Sequence, residues 1–526
     1  MSTPGSVEAL AESYGPGYRW WVAATVLPGM LGAVLTTTIV NVAIPDIMGA
    51  FGINHDVAHW LSTGALAGTS VAMLVQAWLA ARFGPRRAFV WALAVFCVSL
   101  LVAAFARDER VLILARVAQG AIAGMMQPLA IYMLFRVFPS DRKGQAMGMF
   151  GLVAVLGPAL GPVVGGLVIE HFSWRAIFYV SMPIALAAMA LGAVFLPEKE
   201  TPEDGHAPAP FDWWSFALAA SAIGGLLVVL STGQARGWGS SGILLSGGSA
   251  LACAAGFVLR QLKAEVPLVN VRLLMEPNFG SAALLGFIFG AGLFGSVYLV
   301  PLFAQSVQGL TPTAAGLLLM PGGLVLAITM PISGYLADRM PARLLIVTGM
   351  LLYVVSSIWL AGVDVNTSFL ALAVWVSVGR FGLALVNPAL NVASLRAVPP
   401  NQLGQGAGIV NFARQLGGAF GVSVLALVLD RGTAIHGAAL TVAASASGET
   451  HEFLRLAGSL LVQAGASPGL QEAGALHFLG EVIGAQALSL AFKDGFYWVA
   501  ISFMLALVPA CIVGREARTT GSGRPP

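Results

Sequence analysis

Apolar runs, each about as long as a bilayer crossing requires, recur along this chain between short polar turns. They lie near 20–45, 58–80, 88–106, 111–135, 145–169 and 175–196. After a polar interval they resume near 213–232, 242–260, 278–303, 313–335, 344–363, 368–393, 406–429 and 495–514. This pattern predicts an all-α integral membrane protein with about fourteen transmembrane helices. The interval PEKETPEDGHAPAPFD at 197–212 reads as a linker. It separates a group of six spans at 19–196 from a pair at 213–260, which a last group at 261–514 follows. Within that last group, 431–492 is expected as a loop outside the membrane. Two of its pieces, HEFLRLAGSLLVQAG and LQEAGALHFLGEVIG, have some helical spacing. Polar tails are expected at 1–18 and 515–526.

Composition agrees with that reading. The chain is 57% hydrophobic and only 10% charged, far below the roughly 25% charge of soluble domains. Positive residues set the expected orientation. With the N-terminus inside, 17 Lys and Arg fall on cytoplasmic segments, seven outside and three within spans. Both termini are therefore placed in the cytoplasm, and the polar first residues predict no cleaved signal peptide. A net charge of +3 without a basic run excludes a nucleic-acid partner. Cys97, Cys253 and Cys511 sit in apolar runs, and the seven histidines are scattered, so no disulfide framework, metal site or cofactor is expected. No nucleophile–base pair or phosphate-binding glycine loop stands out, which argues against an enzyme and against an ATP site.

Polar residues inside spans carry a cost and so point to function. The first span contains LTTTIVNVAIPD at 35–46, whose hydroxyls are expected to bond back to carbonyls three or four residues earlier. Arg116 lies about five residues inside the fourth span, and Arg380 and Arg414 lie near mid-membrane in the twelfth and thirteenth. All 24 acids fall in loops or at span ends. The fifth span, GMFGLVAVLGPALGPVVGG, lines up small residues on a face that lets another backbone approach closely. AWLAARFGPRR at 77–87 and GYLADRMPAR at 334–343 form a weak internal repeat, of the kind alternating-access transporters use.

Several of these segments resemble a known family. The spacing of Gly148, Gly157, Gly161, Pro162, Gly165 and Gly166 resembles the antiporter signature of major facilitator superfamily drug exporters. The segment ARVAQG with Arg116 resembles the family's fourth-span motif, and the paired loops resemble its cytoplasmic loop motif. SWRAIFYVSMPI, NFARQLGGAFGVSV and QALSLAFKDGF are similar to segments of the fourteen-span drug:proton antiporters, Emr-type multidrug permeases among them. The resemblance implies a major facilitator fold: two pseudo-symmetric six-helix bundles plus two inserted helices. It also implies proton-coupled export of amphipathic compounds from a bacterial inner membrane. Small-molecule substrate, membrane lipids, a periplasmic membrane-fusion adaptor and an outer-membrane channel are the implied partners.

The resemblance assigns proton transfer to Arg116; Asp46 or Glu170, acids lying at the ends of spans, are the candidate peripheral acceptors. Thr36, Asn41, Gln127, Arg380, Asn387 and Arg414 are candidate cavity contacts. Gly157, Pro158, Gly161, Pro162, Gly165, Gly166, Arg82, Arg86, Asp338, Arg339 and Arg343 belong to the gating motifs. Two departures stand out: Thr36 occupies a position where many members carry aspartate, and Ala81 replaces the acid of the first loop motif. Three span arginines without a span carboxylate predict a preference for anionic or neutral amphiphiles over cations. A proton-independent facilitator or importer, and a non-transporting receptor or assembly subunit, are the alternatives.

Overall fold

The computed structural model describes residues 7–53, 55–58, 60–198, 211–265, 267–446, 448–463 and 471–513. Most of the linker, the first six residues and the tail at 515–526 lie outside the described residues. Among the described residues there is no strand, and fourteen helices are long and apolar enough to cross a membrane.

The first six spanning helices are α1 (Tyr18–Phe51), α2 (Trp60–Phe83), α3 (Pro85–Ala104), α4 (Glu109–Val137), α5 (Lys143–His171) and α6 (Ile177–Phe195). They share one apolar core that includes Val26, Phe89, Phe96, Leu112 and Phe178. The pair that follows is α7 (Trp213–Arg236) and α8 (Ser241–Lys263). The last six are α9 (Pro277–Ser306), α10 (Pro312–Arg339), α11 (Ala342–Ala361), α12 (Phe369–Arg396), α13 (Leu403–Ala446) and α14 (Gln471–Ala510). A second core around Leu285, Phe289, Ile346, Phe496 and Phe503 holds them. Large apolar side chains such as Val98, Leu114, Val163, Leu251, Ile328 and Leu505 remain exposed. In a chain with these spans, that belt is the surface lipid covers.

The pair α7–α8 is tied at its polar end. Asp212 caps α7 through the Ser215 N–H at 3.1 Å. It also accepts both forks of Arg260 from α8, each at 3.0 Å. That guanidinium, together with the cap, holds the Asp212 carboxyl down to about 2. Leu227 and Ile223 of α7 join Leu74 of α2 with Ile409 and Val410 of α13 in a third apolar cluster. The pair thereby packs across the seam between the two six-helix groups.

Hydropathy misses one feature. The segment expected as a loop at 431–492 is largely helical: α13 runs on to Ala446, a helix spans Gly448–Gln463, and α14 begins at Gln471. At 1.5 Å per residue, the 44 residues of α13 reach about 66 Å, twice a hydrocarbon core of about 30 Å. A helix in water pairs its backbone internally, so it needs no apolar run to persist.

Candidate functional site

Three features of the interior bear on transport: a threonine–arginine cluster, a polar bridge between the two groups of six, and a carboxylate latch.

All three hydroxyls of the threonine stretch bond back along α1: Thr36 to Gly32 O at 2.9 Å, Thr37 to Val34 O at 2.7 Å and Thr38 to Leu35 O at 3.1 Å. Thr36 Oγ1 also lies 2.7 Å from the Ser181 hydroxyl of α6, from which it can accept, and is fully buried. Its side chain lies in the α1–α6 contact. The glycine face of α5 meets this same stretch. A Cβ added at Gly161 would lie 2.1 Å from Thr38 Oγ1, and one at Gly157 would lie 2.7 Å from Val34. Gly165 faces Ile39, whereas Gly166 faces open space. Pro158 is exposed, and the side chain of Pro162 lies outside the described residues.

Arg116 is fully buried. Its Nε donates to Leu61 O at 3.2 Å, Nη1 to Thr36 O at 3.1 Å and Gln119 Oε1 at 2.9 Å, and Nη2 to Thr37 O at 3.3 Å. Gln119 passes the contact on to Ser99 O of α3 at 3.2 Å. The guanidinium therefore ties α4 to α1 and α2, and among the described residues no carboxylate is one of its partners. Asp46 and Glu170 are both exposed. Asp46 lies on α1 ten residues beyond Thr36, about 15 Å along the axis, and so within the helix rather than just past its end. Neither acid bonds to Arg116 among the described residues. Asn41, also exposed, accepts from Ser62 of α2 at 2.8 Å.

The polar bridge joins the two groups near mid-membrane. Arg414 of α13 donates to Asn411 on its own helix face and to Gln127 of α4 at 3.4 Å. Its backbone carbonyl lies against Gly290, where a Cβ would come within 1.9 Å. Asn387 is buried in α12 and accepts from Asn391 at 2.7 Å. Arg380 lies within the second bundle rather than between the groups, so the two buried arginines of α4 and α12 do not converge on Arg414.

The latch is at the end where both loop motifs sit. The Asp338 carboxylate accepts the N–H of Gly144 at 2.5 Å and of Gln145 at 2.9 Å, capping the start of α5 from across the seam. Gly144 and Gly334 make this approach possible, because a Cβ at either would lie 2.1–2.3 Å from the other's carbonyl oxygen. Arg339 stacks on Tyr335 instead, 4.1 Å from the ring centroid, and Arg343 and Arg82 are exposed. Arg86 stays within the first bundle: it binds Glu198 at 2.7 Å and Leu196 O at 2.6 Å. On the pseudo-symmetric side, α2 and α13 meet without an acid: Gly404 lies against Ala77, and a Cβ at Gly408 would lie 2.7 Å from Met73 O.

Sequence reasoning did not single out Gly144 and Asn411. Gly144 lies four residues before Gly148 and extends the same glycine face, and Asn411 precedes Arg414 by three. Both signals were present in the spacing.

Comparison with known proteins converges on one group. The family model described as Major Facilitator Superfamily matches residues 26–422. The lincomycin resistance protein LmrB of Listeria monocytogenes is 30% identical over 78% of this chain and 86% of its own. The multidrug export protein EmrB of Haemophilus influenzae is 29% identical over 78% of this chain and 80% of its own. The crystal structure of the human organic anion transporter MFSD10 covers 93% of this chain and all of its own, with a TM-score of 0.60 at 17% identity. That last likeness speaks to the fold alone.

Proposed function

The chain belongs to the major facilitator superfamily, and on that premise we propose that it exports amphipathic small molecules by alternating access in a bacterial inner membrane. The names of its relatives LmrB and EmrB, a resistance protein and a multidrug exporter, support export as the direction. Positive residues crowd the latch end, which supports placing that end and both termini in the cytoplasm. In that orientation the cytoplasmic side is closed by Asp338 and α5.

The observation that carries the reading is the bond from Arg414 to Gln127. It joins the two bundles at the depth where such transporters hold substrate, and it must break when they rock apart. A cation flanked only by neutral amides favours anionic or neutral amphiphiles over organic cations.

Energy coupling to the proton gradient is part of the proposal, with Asp46 and Glu170 as its peripheral acceptors and Arg116 as the tie that holds α1, α2 and α4 together. The absence of a carboxylate beside Arg116 favours one second reading, a proton-independent facilitator. The helical extension beyond α13 and before α14 supplies a surface for a periplasmic membrane-fusion adaptor leading to an outer-membrane channel.

Purified protein in liposomes tests these points together. Export of a hydrophobic weak acid and of a lipophilic cation is followed with and without an imposed pH gradient. Gradient-driven movement of the weak acid supports the proposal. Equal rates without a gradient select the facilitator, and strong cation export with no weak-acid transport overturns the charge preference.

A further inference from the structure

Arg380 differs from the other two span arginines. It lies in the middle third of α12 and is only 8% exposed. It makes no hydrogen bond, ion pair or ring contact with any described residue, whereas Arg116 donates four bonds at the corresponding core of the first bundle.

Arg380 borders a small cavity between α9, α11, α12 and α14, lined by Ser296, Tyr353, Ser356, Ser357 and Arg380 among apolar side chains. No acid lines it. Its hydroxyls already donate elsewhere: Tyr353 to Gly292 O at 2.7 Å, Ser356 to Trp375 O at 2.7 Å, Ser357 to Tyr353 O at 2.8 Å and Ser296 to Leu293 O at 3.0 Å. A guanidinium largely withdrawn from water is stabilised by a counter-charge or a set of acceptors, and among the described residues this one has neither a hydrogen-bond acceptor nor an acid beside it.

We propose that this cavity binds a single small monovalent anion, of the size of chloride, as the counter-ion of Arg380. The cavity is small, about 20 Å³. That is room for one or two waters or one such ion, and too little for an amphipathic substrate or a hydrated divalent anion. The guanidinium supplies the charge and several N–H donors. The serine hydroxyls around the ion can turn from their backbone acceptors to add further donors. The site is separate from the bridge at Arg414 and does not depend on the export reading.

The thermal unfolding midpoint of the purified protein tests this when chloride, bromide or nitrate is titrated against gluconate at constant ionic strength. A saturable rise is expected with the three small anions, and sulfate is expected to give none. Arg380→Gln removes the saturable rise, whereas Arg414→Gln retains it. Where Arg380→Gln does not fold, anomalous scattering from bromide in crystals of the unaltered protein locates the ion instead, with a peak expected at the Arg380 guanidinium. A midpoint that ignores chloride, a rise that survives Arg380→Gln, or bromide found only elsewhere each overturns the proposal and leaves water as the occupant.

Discussion

Replacing Asp338 with alanine tests the closed gate most directly. The carboxylate accepts two backbone N–H groups at the start of α5. Hydrogen bonds to a charged group contribute about 1.5–3 kcal/mol each, and a negative charge at a helix N-terminus adds about 0.3–1 kcal/mol. Asp338 is half-buried, so solvent weakens these values, and about 2–3 kcal/mol is a reasonable total. At 1.4 kcal/mol per tenfold, the ratio of closed to open gate falls roughly 30- to 140-fold. Asp338→Asn keeps one neutral acceptor and forfeits the charge, so it falls between wild type and alanine. Spin labels at Ser140 and Met340, on the loop before α5 and just past the end of α10, report the separation by pulsed distance measurement once Cys97, Cys253 and Cys511 are replaced. The alanine variant is expected to populate a longer distance. An unchanged distribution in the alanine variant would mean that the carboxylate does not hold the gate.

Other perturbations separate the remaining roles. Gly334→Ala places a Cβ 2.3 Å from the Gly144 carbonyl oxygen, so it should open the same pair of labels even with Asp338 intact; a wild-type distance distribution would contradict the close approach. Arg116→Lys keeps the charge but not the planar fork that reaches three helices; it should lower the thermal midpoint about as much as Arg116→Gln, and full retention of stability would show that a point charge suffices. Asp212 has a folded-state value depressed to about 2, below its usual carboxylate range near 3.9. Its contribution to docking α7 on α8 is therefore complete above about pH 4 and lost as pH falls through about 2. Asp212→Asn should remove that part of the acid dependence of unfolding, and an identical pH profile would exclude it.

The span count was legible because the cost of burying polar groups in a bilayer is a local property of about twenty consecutive residues. The threonine back-bonds were legible for a related reason, since their acceptors lie one turn away on the same helix. The helices at 431–446 and 471–492 were not read as continuations of the spans, because outside the membrane a helix no longer needs an apolar run. Thr36 shows the limit at a site: its depth could be counted along α1, but its contact with Ser181 comes from a helix 145 positions away.

The sequence by itself determined the number and order of the helices, the glycine face of α5 and the depth of each arginine. Only the tertiary structure decided that this face packs on the threonine stretch, that Asp338 reaches Gly144 across the seam, and that Arg116 is bonded through all three nitrogens while Arg380 borders a cavity. The reason is one of range. Hydropathy and helical period act between neighbours in the chain. Whether a buried guanidinium is satisfied depends on carbonyls that other helices bring to it, 55 to 80 residues away in the case of Arg116.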